Sequence, residues 1–171
     1  MLTAGEEPLY VLRRITRFAS EDIGLADPQA LVQCLAAKDA YDFLGSPEGE
    51  LGFAQLVLYL ASTAKSNAGY MAWNAARAFV KRDGTRPVPL HLRNAPTKLM
   101  KSLGYGKGYQ YDPDTPEGFS GANFFPDEME RRTFYKPKGE GHEEKVKARL
   151  ERWAAMRARM AVDGAVDAAG D

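Results

Sequence analysis

Apolar residues recur at helical spacing through the first half of the chain, and proline and glycine punctuate them. Leu9, Leu12, Ile15, Phe18 and Ala19 share one stripe, while Arg13, Arg14 and Arg17 take the other face. Pro8 sits at a natural first helical position, and Gly24 in "EDIG" is a natural stop. In "ADPQAL" the Asp27 carboxylate can accept a free N–H of a new first turn, and Pro28 has no N–H to leave unpaired. Leu31, Cys34, Leu35 and Tyr41 are the expected buried face of that helix, with Gly45 closing it. Ser46 and Pro47 repeat the device ahead of Leu51, Ala54, Val57, Leu58 and Ala61. Ser66 caps a further helix, "NAGYMAWNAARAFVKR", whose buried face is expected to be Tyr70, Trp73, Ala76 and Val80, with Gly84 as its end. Its many small residues allow close helix–helix approach.

The pattern then changes. The two prolines of "RPVPLHL" impose an extended segment. A short helix is expected over about 96–103, closed by Gly104. From about 105 to 140 glycine, proline and aromatic residues dominate, too long a stretch for a passive loop. Phe119, Phe124, Phe125, Phe134 and Tyr135 are expected to turn inward, and a small hairpin is expected near Thr133–Tyr135. A final helix is expected over about 142–160, with Val146, Leu150, Trp153, Arg157 and Met160 on a narrow face and Glu143 and Glu144 suiting its N-terminal dipole. Residues 161–171 read as a frayed tail. The fold class is mainly α: one helical domain over about 1–160, a bundle over about 8–104, the aromatic-rich loop over about 105–140, then the final helix.

Composition narrows the function classes. The 171 residues suit one domain, and 44% hydrophobic residues supply a core. Basic and acidic residues balance at 23 each, so any nucleic-acid contact has to come from a local patch. The single cysteine, Cys34, excludes an intrachain disulfide and reads as a buried inert thiol. "MLTAGEEPLY" lacks the basic-then-apolar pattern of a secretion signal, and "LGFAQLVLYLASTA" is too short to span a bilayer, which reads as a soluble cytoplasmic protein. Cys34, His91 and His142 are too few and too scattered for a metal site, and no catalytic triad can be assembled.

The local patch is "HLRNAPTKLMKSLGYGKGYQY", His91–Tyr111, which carries Arg93, Lys98, Lys101 and Lys107 and no carboxylate. Its glycines do not make a P-loop. That loop needs a glycine five positions before its Gly-Lys pair and a Ser or Thr after it; here those positions hold Lys101 and Gly108. A dinucleotide fingerprint needs a preceding strand, and a helix precedes this stretch. Two readings of the segment stand. In one, Arg93, Lys98, Lys101 and Lys107 meet phosphates while Tyr105 and Tyr109 stack on bases. In the other, the tyrosines are core and the lysines a solvated face.

Several strings carry a family resemblance. "RRITRFASEDIGLADPQAL", "LVLYLASTAKSN", "PVPLHLRNAPTKLMKSLGYGKGYQY" and "FFPDEM" resemble, in that order, the C-terminal region of the replication-associated recombination protein A (MgsA) family of AAA+ ATPases, relatives of the eukaryotic Werner-helicase-interacting protein. Ala64 stands where the family usually has proline. The resemblance implies a helical domain related to the clamp-loader collar, which holds the family's subunits in a homotetramer. It implies a parent ATPase acting on DNA at stalled replication forks, in the nucleoid and in contact with single-strand-binding protein. The Walker motifs of the ATPase module are absent from this chain, so no catalytic residue maps onto it, and ATP and Mg would bind the module that is missing. "MLTAGEEP" resembles the end of an upstream family helix, as in an excised domain or a truncated gene product.

Overall fold

The computed structural model describes residues 1–168. The helices are α1 (Pro8–Phe18), α2 (Gln29–Leu44), α3 (Glu50–Ser62), α4 (Ala68–Asp83), α5 (Lys98–Ser102) and α6 (Glu143–Ala168). No strand occurs among the described residues, so the hairpin expected near Thr133–Tyr135 does not form; that stretch is irregular. No helix among them is long and apolar enough to cross a membrane. The chain divides into two compact units, one comprising Met1–Ala78 and Phe134–Leu150, the other Phe79–Thr133 and the chain from Glu151 onward. The divisions fall within α4 and within α6.

In the first unit α1, α2 and α3 form the core. Val11, Leu12, Ala19 and Ile23 pack with Ala30, Cys34 and Ala37 of α2 and with Phe53, Leu56 and Leu60 of α3. The edge of the Tyr41 ring meets Phe53, with centroids 5.2 Å apart. α1 starts on Glu7, whose carboxylate accepts the N–H groups of Leu9 and Tyr10, followed by Pro8 at the first helical position. After Phe18 the helix widens into a π turn, Ala19–Ile23. Gly24 (φ +52) then breaks it.

Several expected faces differ from the observed ones. On α2 the buried residues are Ala30, Cys34 and Ala37, while Leu31 and Leu35 are exposed. Small residues face the neighbouring helices because they permit close approach, and the leucines are left outside. On α4 the expected Tyr70–Trp73–Val80 face is exposed, Trp73 at 62%, and of the helix's residues Ala68 is buried. α3 begins at Glu50 rather than at Pro47, because Pro47–Gly49 form a separate turn. α6 runs to Ala168, past the expected stop near 160. Of the expected tail, 169–171 lie outside the described residues.

Two carboxylates tie the first unit together. Asp27 accepts the N–H of Gln29 at 3.0 Å, as its capping position foretells, and also the hydroxyls of Tyr59 and Thr63, each at 2.5 Å. Burial pushes the Asp27 carboxyl up, but the Thr63, Tyr59 and Gln29 donors outweigh it and hold it below the usual carboxylate range. The same hydrogen bond, with burial, pushes the Tyr59 phenol up to about 12.

Glu143, at the start of α6, is 0% exposed. It accepts the Tyr135 hydroxyl at 2.7 Å and the Lys138 N–H at 2.8 Å, and it is also hydrogen-bonded to Ser66. Ser66 accepts the Ala68 N–H at the head of α4, and its own N–H donates to Ile23 O at 3.2 Å. The His142 N–H donates to Ala26 O at 2.7 Å. Gly141 (φ +55) permits this approach: a Cβ there would stand 2.3 Å from Ala26 O.

The second unit is held by its own loops. The Asp112 carboxylate accepts both the hydroxyl and the N–H of Ser120, and the Thr115 hydroxyl accepts the Phe119 N–H. Phe119 stacks on Trp153 at 5.9 Å, and the Arg157 guanidinium covers Phe119. Met156 is buried, and Arg159 pairs with Glu117. The aromatic-rich segment therefore packs through its own side chains, as its composition indicates, although Phe124 stays exposed.

Candidate functional site: the basic segment and the apolar faces

The basic segment lies in the second unit, and two tight turns shape it. Leu90–Leu92 form a 3-10 turn after Pro89, and α5 follows from Thr97, whose hydroxyl accepts the Met100 N–H. Gly104, Gly106 and Gly108 all have positive φ, at 83°, 73° and 77°, and fold the chain back. The Gly106 N–H donates to Leu90 O at 2.9 Å and clasps the glycine turn onto the 3-10 turn.

The N–H groups of every residue from Leu103 to Lys107, and of Tyr109, donate to main-chain carbonyls. An anion cradle of the P-loop kind is built from free N–H groups converging on one point. Here those donors are committed to main-chain carbonyls.

The six candidate residues fall into two groups. Arg93 and Tyr105 are brought together: the Arg93 Nε donates to Val88 O at 2.7 Å, its Nη1 donates to the Tyr105 hydroxyl at 3.3 Å, and its guanidinium lies 5.2 Å from the Tyr105 ring centroid. Both are half-buried, and they hold the segment's shape. Lys98, Lys101, Lys107 and Tyr109 are exposed, and among the described residues none of the three lysines enters an ion pair. Lys98 and Lys101 are three residues apart on α5 and so lie on adjacent positions of one face. Lys98, Lys101 and Lys107 offer exposed positive charge, and Tyr109 is an exposed ring two residues after Lys107.

Elsewhere, Cys34 is fully buried and burial pushes its thiol up, which fits an inert core residue. Among the described residues no cluster of His, Cys, Asp and Glu could hold a metal ion. The surface is instead unusual for its apolar faces. α3 is apolar nearly all round. Phe53, Leu56 and Leu60 face the core, and Leu51 and Leu58 stand 75% and 71% exposed on the other side. Phe43 of α2 is 89% exposed. Periodicity could not separate these faces, because both sides of the helices are apolar.

Comparison with known proteins gives the context. The family model "MgsA AAA+ ATPase C terminal" matches residues 1–154. The Replication-associated recombination protein A of Coxiella burnetii is 52% identical over 152 residues, covering 88% of this chain and 34% of that protein. That of Escherichia coli K12 is 45% identical over 156 residues, covering 91% and 35%. The ATPase WRNIP1 of Dictyostelium discoideum is 50% identical over 112 residues, covering 66% and 13%. The chain thus spans about a third of the length of the bacterial relatives it matches. Matched along residues 1–154, nearly the whole of its described length, the chain belongs to the family of MgsA AAA+ ATPase C-terminal domains.

Proposed function

We propose that the chain is the non-catalytic oligomerisation domain of a AAA+ ATPase that serves DNA replication and recombination, and that it assembles as a homotetramer. The observation that carries this reading is the second apolar face of α3. Leu51, Val57 and Leu58 are all at least half exposed, on a helix whose opposite face already fills the core. A soluble domain seldom leaves a face of this kind uncovered, and such faces mark interaction sites. ATP and Mg would be bound by the ATPase module of the full-length protein, and the collar relation is the architecture this reading implies. The setting would be the cytoplasm, at the nucleoid, with single-strand-binding protein among the partners. Light scattering of the purified chain from one to one hundred micromolar tests the assembly. A mass rising to a multiple of 18.9 kDa is expected, and a monomer throughout would remove the proposal.

A second reading is that the domain also touches DNA through Lys98, Lys101 and Lys107, with Tyr109 beside them. The exposure of these lysines, without ion-pair partners among the described residues, favours it. Binding of a fluorescent single strand should weaken steeply between 50 and 200 mM salt, since each phosphate neutralised releases counterion. Changing the three lysines to alanine should abolish it; unchanged affinity would retire this reading. Assembly would multiply a weak patch by avidity.

A further inference from the structure

Residues 134–150 bring the chain back to the first unit, and along them the one buried residue is a carboxylate, Glu143. Phe134, Tyr135, Val146 and Leu150 are half-buried, and none of them belongs to the core cluster of α1, the π turn, α2 and α3. The stretch is joined to the rest of its unit by the Glu143–Ser66 hydrogen bond and by the His142 N–H, which donates to Ala26 O at 2.7 Å. Segments with little apolar burial open at lower free energy than the core they rest on.

Several elements meet at Ser66, which is buried. Its hydroxyl oxygen accepts the Ala68 N–H at the head of α4, at 3.2 Å, and its own N–H donates to Ile23 O at the end of the π turn. Its bond to Glu143 adds the head of α6. α4 and α6 are also the two helices that carry the chain out of the first unit. A buried carboxylate is close to an all-or-none fastening. Facing Ser66, the Tyr135 hydroxyl and the Lys138 N–H, it is satisfied. Without Ser66 it is a buried charge short of a donor, and its free energy falls when it moves out into water.

We infer that Ser66 and Glu143 form a latch: when their hydrogen bond breaks, residues 134–150 and the head of α4 come free in one step, while α1, α2 and α3 stay packed. The latch gives the domain a second state, with its core intact, in which both helices that leave the first unit are unpinned. Whatever holds the latch open or shut acts on those two helices together. The inference stands apart from the oligomerisation reading, since none of the latch residues lies on the exposed face of α3.

Amide hydrogen exchange on the full chain, read by NMR, tests this. The N–H groups of Ser66, Ala68, Lys138 and His142 donate to four different acceptors: Ile23 O, Ser66 Oγ, the Glu143 carboxylate and Ala26 O. A single latch gives all four one protection factor, at least tenfold below those of Cys34 and Leu56 in the core. Glu143→Gln should speed all four by the same factor, at least tenfold. Phe53→Leu loosens the core about 14 Å along α3 from Ser62. It should speed exchange at Cys34 and Leu56 at least fivefold and leave the four latch amides within twofold, because the open state keeps the core. Protection factors for the four that scatter over more than tenfold in the unmodified chain would show separate fraying and end the inference. Latch amides that are as protected as the core, or that speed up with it in Phe53→Leu, would show that the stretch opens only when the whole fold does, which also overturns it.

Discussion

Replacing Glu143 by glutamine isolates what the buried carboxylate contributes. The side chain keeps its size, so no cavity opens. Its two oxygens accept the Tyr135 hydroxyl and the Lys138 N–H, whereas an amide offers one acceptor oxygen and one donor NH2. The Tyr135 hydroxyl can rotate to accept from that NH2, but the Lys138 N–H cannot reverse. One charge-assisted bond becomes neutral and the other changes direction. The favourable placement of a negative charge at the start of α6 is lost as well. Hydrogen bonds to charged groups contribute about 1.5–3 kcal/mol, so a loss of about 2 kcal/mol is expected. For a chain of this size that lowers Tm by about 4–8 °C.

The pH dependence is the sharper measure. Burial pushes the Glu143 carboxyl up, but the Tyr135, Ser66 and Lys138 donors prevail and its folded value lies below the ordinary one. A depressed carboxylate stabilises fully above its unfolded value, about 4.3, and that contribution fades as pH falls through the folded value. Urea melts followed by circular dichroism should therefore show Glu143→Gln about 2 kcal/mol less stable at pH 7, with the gap closing below pH 4. A gap under about 0.5 kcal/mol at pH 7, or one that persists in acid, would refute the reasoning.

Four further outcomes follow from the geometry. Gly141→Ala places a methyl 2.3 Å from Ala26 O at a backbone angle that disfavours side chains, and should cost about 3 kcal/mol in thermal or urea melts. Gly139→Ala, which meets nothing closer than Lys147 Cδ at 3.9 Å, should cost about 1 kcal/mol from its positive φ alone. Asp27→Asn should lose about 1–3 kcal/mol and return the Tyr59 phenol from about 12 toward its ordinary value, read by ultraviolet titration. Arg93→Ala should lower stability while leaving affinity for a fluorescent single strand unchanged, because its guanidinium is spent on Val88 O and Tyr105.

Much of the fold was legible because proline, glycine and capping residues act locally. Asp27 caps α2 from its own neighbourhood, Ser66 supports the head of α4, and Gly24 and Gly104 end turns where the chain must take positive φ. The inward faces of α2 and α4 were not legible. Where leucine or tryptophan lies on one side of a helix and alanine on the other, hydrophobicity ranks the wrong side as core. The close contacts of α2 are made by Ala30, Cys34 and Ala37. Glu143 read as an ordinary helix-start acid, because its burial depends on Ser66, Tyr135 and Lys138 arriving from separate stretches of chain. Arg93 looked like the other three basic residues of its segment until the carbonyl of Val88 and the ring of Tyr105 claimed it.

The commitment of the N–H groups from Leu103 to Lys107 leaves the anion chemistry of this turn to its side chains. A main-chain cradle holds anions whatever happens to the side chains around it. This turn has no such reserve, so under the DNA-contact reading any attraction for phosphate would rest on the ammonium groups of Lys98, Lys101 and Lys107. Acetylation removes an ammonium charge without touching the fold beneath it, so three small modifications would strip the three exposed lysine charges one at a time and leave the Arg93 guanidinium, held by Val88 O and Tyr105.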